Sequence, residues 1–83
     1  MKKITIYSTR ICPYCVRAKN FFNKKNLEYT EIMIYRDPEQ MREMMEKSGR
    51  QSVPQIFIGD YHVGGFDDLI EHDMDGKLEG LLG

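Results

Sequence analysis

Tryptophan is absent from this 83-residue chain, proline occurs three times and cysteine only twice. Two cysteines cannot staple a disulfide scaffold, and one short-range bridge would constrain little of the unfolded chain. Chemistry is the better reason for their presence. No apolar run approaches the roughly 18 residues of a membrane span. With 12 basic and 13 acidic residues the net charge is −1, without the basic excess of a dedicated nucleic-acid binder. Neither membrane nor nucleic acid is therefore an expected partner. The amino-terminal Met1-Lys2-Lys3-Ile4-Thr5-Ile6-Tyr7 lacks the longer apolar region and the cleavage site of a signal peptide, so a cytoplasmic location is expected. There is no repeat, linker or low-complexity stretch. The length suits one domain over residues 1–83, burying about 60% of its unfolded surface, and a monomer is expected.

Acidic residues are missing from residues 1–27, which carry seven basic side chains, whereas residues 58–83 carry seven acids and one base, Lys77. Both cysteines lie in the basic third. A positive potential there favours a thiolate and attracts anionic partners. Most of these lysines read as solvated helix-face charges; only Arg10 and Arg17 stand near the cysteines in sequence.

Lys3–Tyr7 alternates and is rich in β-branched and aromatic residues, which predicts a strand. From Pro13 the pattern turns helical, with Val16, Ala18, Phe21 and Phe22 as the apolar face and Asn23–Asn26 as the end. Leu27–Tyr35 reads as a second strand. Asp37-Pro38-Glu39-Gln40 is a helix start, and that helix is expected to run to Ser48 and stop at Gly49. Met41, Met44 and Met45 form a core-facing stripe along it. Gln55–Ile58 and Tyr61–Val63 flank Gly59-Asp60, a hairpin signal. Gly64-Gly65 leads to a short helix from Phe66 or Asp67, and Leu78, Leu81 and Leu82 suggest a last helical turn. Strands alternating with helices predict a small α/β sheet covered on its faces. His62 and His72 read as structural or solvated.

Cys12-Pro13-Tyr14-Cys15 falls where the first strand hands over to the first helix. Free N–H groups and the helix dipole at that end stabilise a thiolate at Cys12. Cys15 follows one turn later, close enough for a disulfide. Pro13 stiffens the turn at no cost in hydrogen bonds. An outer thiol that attacks a disulfide, with a second that resolves the mixed disulfide, is the minimum equipment for thiol–disulfide exchange. A zinc half-site is the competing reading, but only His62 and His72 remain as further ligands of the usual kind, at spacings that match no common finger.

Together with Ser52-Val53-Pro54-Gln55-Ile56-Phe57-Ile58 and Gly64-Gly65-Phe66-Asp67-Asp68-Leu69, this motif gives the chain its resemblance to the dithiol glutaredoxins, over almost its whole length. The resemblance implies a thioredoxin-like α/β fold, a four-stranded mixed sheet in order 2-1-3-4 with helices on both faces. It implies a cis peptide before Pro54 and glutathione as co-substrate, with no permanently bound cofactor and no metal. Cys12 and Cys15 would be catalytic, and Val53 would pair through its backbone with the cysteinyl part of glutathione. At Gly65, Phe66, Asp67 and Asp68 the helix N-terminus would take the γ-glutamyl end: the N–H groups of Asp67 and Asp68 its carboxylate, the Asp68 carboxylate its ammonium. Tyr14 would pack against the peptide.

Three positions depart from the family pattern. Thr9 replaces a frequent lysine, with Arg10 adjacent as substitute. Met41 stands where relatives often carry Arg or Gln, and Phe66 where cysteine is common. The implied activity is glutathione-dependent reduction of protein disulfides and glutathionylated proteins, coupled to glutathione reductase through the glutathione pool. Two alternatives stay open: a redoxin recharged by a flavoprotein reductase, and a dimeric module binding an iron–sulfur cluster.

Overall fold

Alternate residues of two central strands feed two separate cores, and this divides the molecule into layers. The computed structural model describes residues 2–83; Met1 lies outside the described residues. Strand β1 spans Ile4–Ser8, helix α1 Pro13–Lys24, β2 Thr30–Met33, α2 Pro38–Ser48, β3 Gln55–Ile58, β4 Tyr61–Gly64, α3 Phe66–Met74 and α4 Lys77–Leu82. The sheet order is β2-β1-β3-β4. β1 runs parallel to β2 and antiparallel to β3, which pairs antiparallel with β4. This is the mixed 2-1-3-4 sheet implied by the resemblance.

Ile4 and Ile6 of β1 and Ile56 and Ile58 of β3 point to one face, where Ala18 and Phe22 of α1, Leu69 of α3 and Leu78 and Leu82 of α4 complete the larger core. Tyr7 and Phe57 point to the other face and meet Ile34 and Met44 in a smaller core, with Met41 and Met45 packed against it. The methionine stripe of α2 is thus a core stripe. A period of two in strands buried on both sides makes this division inevitable.

The local signals act as their chemistry requires. Asp37 caps α2 by accepting the Gln40 N–H at 3.1 Å. Gly49 ends it at φ 70°, its N–H donating to the Met45 carbonyl at 2.8 Å. Strand β2 is shorter than the Leu27–Tyr35 expected. Asn26, at φ 57°, turns the chain so that Leu27 drops against the larger core, and the Tyr35-Arg36 turn ends pairing after the Ile34 N–H donates to the Ser8 carbonyl at 2.9 Å. Being an edge strand, β2 is mostly exposed and keeps only the length that β1 can pair. Strand β1 starts and ends one residue later than expected, and β4 extends to Gly64.

Candidate active site

Cys12 is the N-cap of α1, in extended backbone at φ −150°, with Pro13 beginning the first turn. Its sulfur takes the role usually played by a serine or aspartate oxygen: the Cys15 N–H donates to it at 3.2 Å. A sulfur placed there faces the positive end of the helix, where a thiolate is favoured over a thiol. Cys15 follows one turn along, and the two Cα atoms lie 5.2 Å apart with the sulfurs paired as a disulfide. Their environments differ. Cys15 is 1% exposed, inside the helix packing, whereas Cys12 is half-buried at the surface. Only Cys12 presents its sulfur to an incoming reactant.

Beside Cys12 runs the loop before β3. The Val53–Pro54 peptide bond is cis, and the Val53 carbonyl oxygen lies 3.8 Å from the Cys12 sulfur. Gln55, 1% exposed, braces this loop from below. Its Nε2 donates to the Ser52 carbonyl at 3.0 Å and approaches Ser52 Oγ at 3.3 Å, while its Oε1 lies 2.7 Å from His62 Nε2. His62 also stacks on Phe57, with centroids 4.9 Å apart. Burial, together with the nearby Arg50 charge, holds His62 below the ordinary imidazole range, so it serves as a neutral strut. His72 is occupied by Tyr61 and by the Asp68 carbonyl.

A groove of about 300 Å³ extends from Tyr14 past Val53 and Pro54 to Gly65, Phe66, Asp67 and Asp68. The Tyr14 ring lies 6.2 Å from that of Phe66 and carries the Arg17 guanidinium on its outer side at 5.2 Å. At the far end Asp68, third residue of α3, reaches back so that its Oδ2 accepts the Gly65 N–H at 2.9 Å. The same oxygen accepts from Arg50 Nη1 at 3.0 Å. The Gly65 N–H bond, reinforced by Arg50, keeps the Asp68 carboxyl below the usual aspartate range. Gly64 makes room for it: at φ +116°, a Cβ there would sit 2.2 Å from Asp68 Oδ2. The glycine pair therefore accommodates the chain's own carboxylate at position 64 and leaves backbone open to the groove at Gly65.

The structure brings together every expected site residue but one. Arg10 lies away from the groove, its guanidinium 5.2 Å from the centroid of the Tyr35 ring, beside Thr9 and Ile11. The cation in the groove is Arg50, which sequence reasoning missed. Its position was visible, two residues beyond the end of α2 and two before Ser52, but nothing in the spacing tied it to Asp68. Met41 is packed against the smaller core and offers no polar contact.

The glutaredoxin family model matches residues 4–63. A glutaredoxin of Pseudomonas aeruginosa is 45% identical over 82 residues, covering 99% of this chain and 98% of the relative. The chain belongs to the glutaredoxin family. As a glutaredoxin it is an oxidoreductase, and its neighbours in structure agree. The solution structure of a glutaredoxin from Brucella melitensis superposes with a TM-score of 0.85 at 49% identity, over 99% of this chain and 89% of that one. A buckwheat glutaredoxin, solved as a complex with glutathione, superposes with a TM-score of 0.86 at 30% identity, over 98% and 76%. The thioredoxin-like fold is thus the family's. Among the described residues no helix is long and apolar enough to cross a membrane, and no group of three His, Cys, Asp or Glu side chains could hold a metal ion.

Proposed function

We propose that this glutaredoxin uses glutathione to reduce protein disulfides and protein–glutathione mixed disulfides through the Cys12-Pro13-Tyr14-Cys15 dithiol, acting as a single domain over residues 1–83 and as a monomer in the cytoplasm. The observation that carries the reading is the placement of the half-buried Cys12 sulfur 3.8 Å from the carbonyl of Val53, which lines a groove whose far end pairs a carboxylate with a helix N-terminus. A γ-linked peptide with a thiol in its middle and a zwitterionic head at one end fits that order of groups. The cysteinyl part would lie along Val53, held by its backbone like a strand added to an edge. Tyr14, Pro54, Gly65 and Phe66 would line its path. The head carboxylate would meet the N–H groups of Asp67 and Asp68 in the first turn of α3, and the head ammonium the Asp68 carboxylate. Arg10 stands outside this path and is replaced as the nearby cation by Arg50.

In the reduced enzyme the Cys12 thiolate attacks one sulfur of a substrate disulfide, forming a mixed disulfide and expelling the other sulfur as a thiolate. Cys15 then loses its proton and attacks the Cys12 sulfur, which releases the reduced substrate and closes the Cys12–Cys15 disulfide. A glutathione thiolate reopens it at the exposed Cys12 sulfur, and Cys15 leaves and is reprotonated. A second glutathione thiolate attacks the glutathione sulfur, freeing Cys12 and producing glutathione disulfide, which glutathione reductase returns to the pool. For a glutathionylated substrate the attack by Cys12 and the final glutathione step suffice. Burial of Cys15 keeps it out of reach until the substrate-linked intermediate forms.

The test is turnover of a glutathione mixed disulfide coupled to NADPH, once through glutathione reductase and once through thioredoxin reductase. Turnover through glutathione alone is expected. Turnover only through thioredoxin reductase would make the protein a redoxin and the groove idle.

A further inference from the structure

Resting on the thiol-exchange reading above, we propose that the surface on the other side of Cys12, built from Ile11, Tyr35, Arg10 and Arg36, docks the segment of a protein substrate next to its disulfide, and that this segment carries carboxylates beside an apolar side chain. Ile11 is 92% exposed although it immediately precedes the attacking cysteine, and Tyr35 is 44% exposed. Together with Thr9 and Arg10 they enclose a cavity of about 390 Å³ that shares no residue with the groove described above and has room for an apolar side chain. Apolar side chains that adjoin one another in the open, as Ile11 and Tyr35 do around this cavity, are the feature by which contact surfaces are recognised.

The charge on this surface selects the partner. The Arg10 and Arg36 guanidiniums each lie 5.2 Å from the centroid of the same Tyr35 ring. Among the described residues neither Arg10 nor Arg36 has a carboxylate partner, which is equally true of Lys2, Lys3, Arg17, Lys24, Arg42 and Lys77; what sets the two arginines apart is the aromatic ring they share beside Ile11. Two like charges sharing one aromatic ring repel each other, and an incoming carboxylate relieves the repulsion while gaining two donors. Arg36 is also held at φ 57°, a conformation that suits glycine or asparagine better than arginine. An arginine kept in a strained position, its guanidinium over the ring that also borders Ile11, fits a side chain employed by a partner. A protein disulfide can thus reach Cys12 from the Ile11–Tyr35 side and leave the groove free for glutathione, whereas a small glutathione mixed disulfide needs only the groove.

The experiment compares three substrates at low ionic strength: the mixed disulfide of glutathione with 2-mercaptoethanol, and two synthetic peptides whose single internal disulfide is flanked by Leu-Glu-Glu or by Leu-Lys-Lys. Native protein should turn over the acidic peptide with a kcat/KM about fivefold above the basic one, and added salt should close the gap. Arg36→Gly should lower kcat/KM on the acidic peptide by about three- to fivefold, as expected for an exposed charge pair. It should leave the small mixed disulfide within about twofold and not lower the thermal midpoint, because glycine accepts the left-handed backbone. Ile11→Ser should weaken both peptides and spare the small substrate. Equal rates on the two peptides, or a uniform loss on all three substrates in Arg36→Gly, would overturn the docking surface while the thiol-exchange reading survives. Failure of the native protein on the small mixed disulfide would remove that reading and this one with it.

Discussion

Asp68 and Arg50 meet across the end of the groove at 3.0 Å, eighteen positions apart in sequence. One carboxylate oxygen, Oδ2, takes both the guanidinium and the Gly65 N–H. The contact is half-exposed, so its worth to stability is small. Its consequence is orientation. The carboxylate is held by two donors, so under the function proposed above a ligand ammonium would meet it without reorganisation.

Asp68→Ala should therefore raise KM for a glutathionylated substrate about tenfold, the usual cost of a lost charge-assisted hydrogen bond, with kcat little changed. Steady-state kinetics with the coupled assay reads this directly. An unchanged KM would take Asp68 out of the site.

The two cysteines should separate by substrate. Cys12→Ser should abolish all exchange, because Cys15 is buried. Cys15→Ser should keep turnover of glutathione mixed disulfides and lose reduction of protein disulfides, measured on a peptide disulfide and a mixed disulfide in parallel. A joint loss would mean that Cys15 does more than resolve.

Gly64→Ala should damage both stability and binding. The new Cβ would collide with Asp68 Oδ2, and φ +116° is a conformation that an alanine rarely adopts. A loss of about 1–3 kcal/mol in urea unfolding is expected, together with a raised KM. A normal KM in the folded variant would show that the Asp68 carboxylate can move without consequence.

Acidification should erode stability in two stages. His62 is held below its ordinary value of 6.5 and Asp68 below its ordinary value of 3.8. A group with a lowered folded-state pKa binds its proton more readily when unfolded. Its contribution is thus complete above the ordinary value and disappears as pH falls through the lowered one. The urea midpoint should begin to fall below about pH 6.5, from His62, and again below about 4.5, where Glu31, held low by its bonds to Lys19 and Ser8, and then Asp68 take up protons. His62→Gln should remove the first stage and leave the second.

Met44, 0% exposed, is the keystone of the smaller core. Met44→Ala should cost about 2–5 kcal/mol by leaving a cavity under α2. Activity per folded molecule should persist, since α2 contributes nothing to the groove.

Much of this protein was decided by short stretches of sequence. Asp37-Pro38 and Gly49 bracket α2, Gly59-Asp60 turns the hairpin, and Cys12-Pro13 opens α1, because caps and turns depend on atoms three or four residues apart. The two-residue period of β1 and β3 likewise announced strands, and the cysteine spacing announced the chemistry. Position in three dimensions was another matter. Whether Arg10 or Arg50 would stand in the groove depended on how far β2 runs before the Tyr35-Arg36 turn and on the approach of the loop before β3 to the start of α3. Those are contacts between segments distant along the chain, and no local propensity encodes them. The same holds for Gly64, which in the sequence only leads into a helix and in the structure makes space for Asp68. Local chemistry dictated which groups could react, and only tertiary packing decided which of them face one another, because side-chain charge acts over a few ångströms of space and not over positions in sequence.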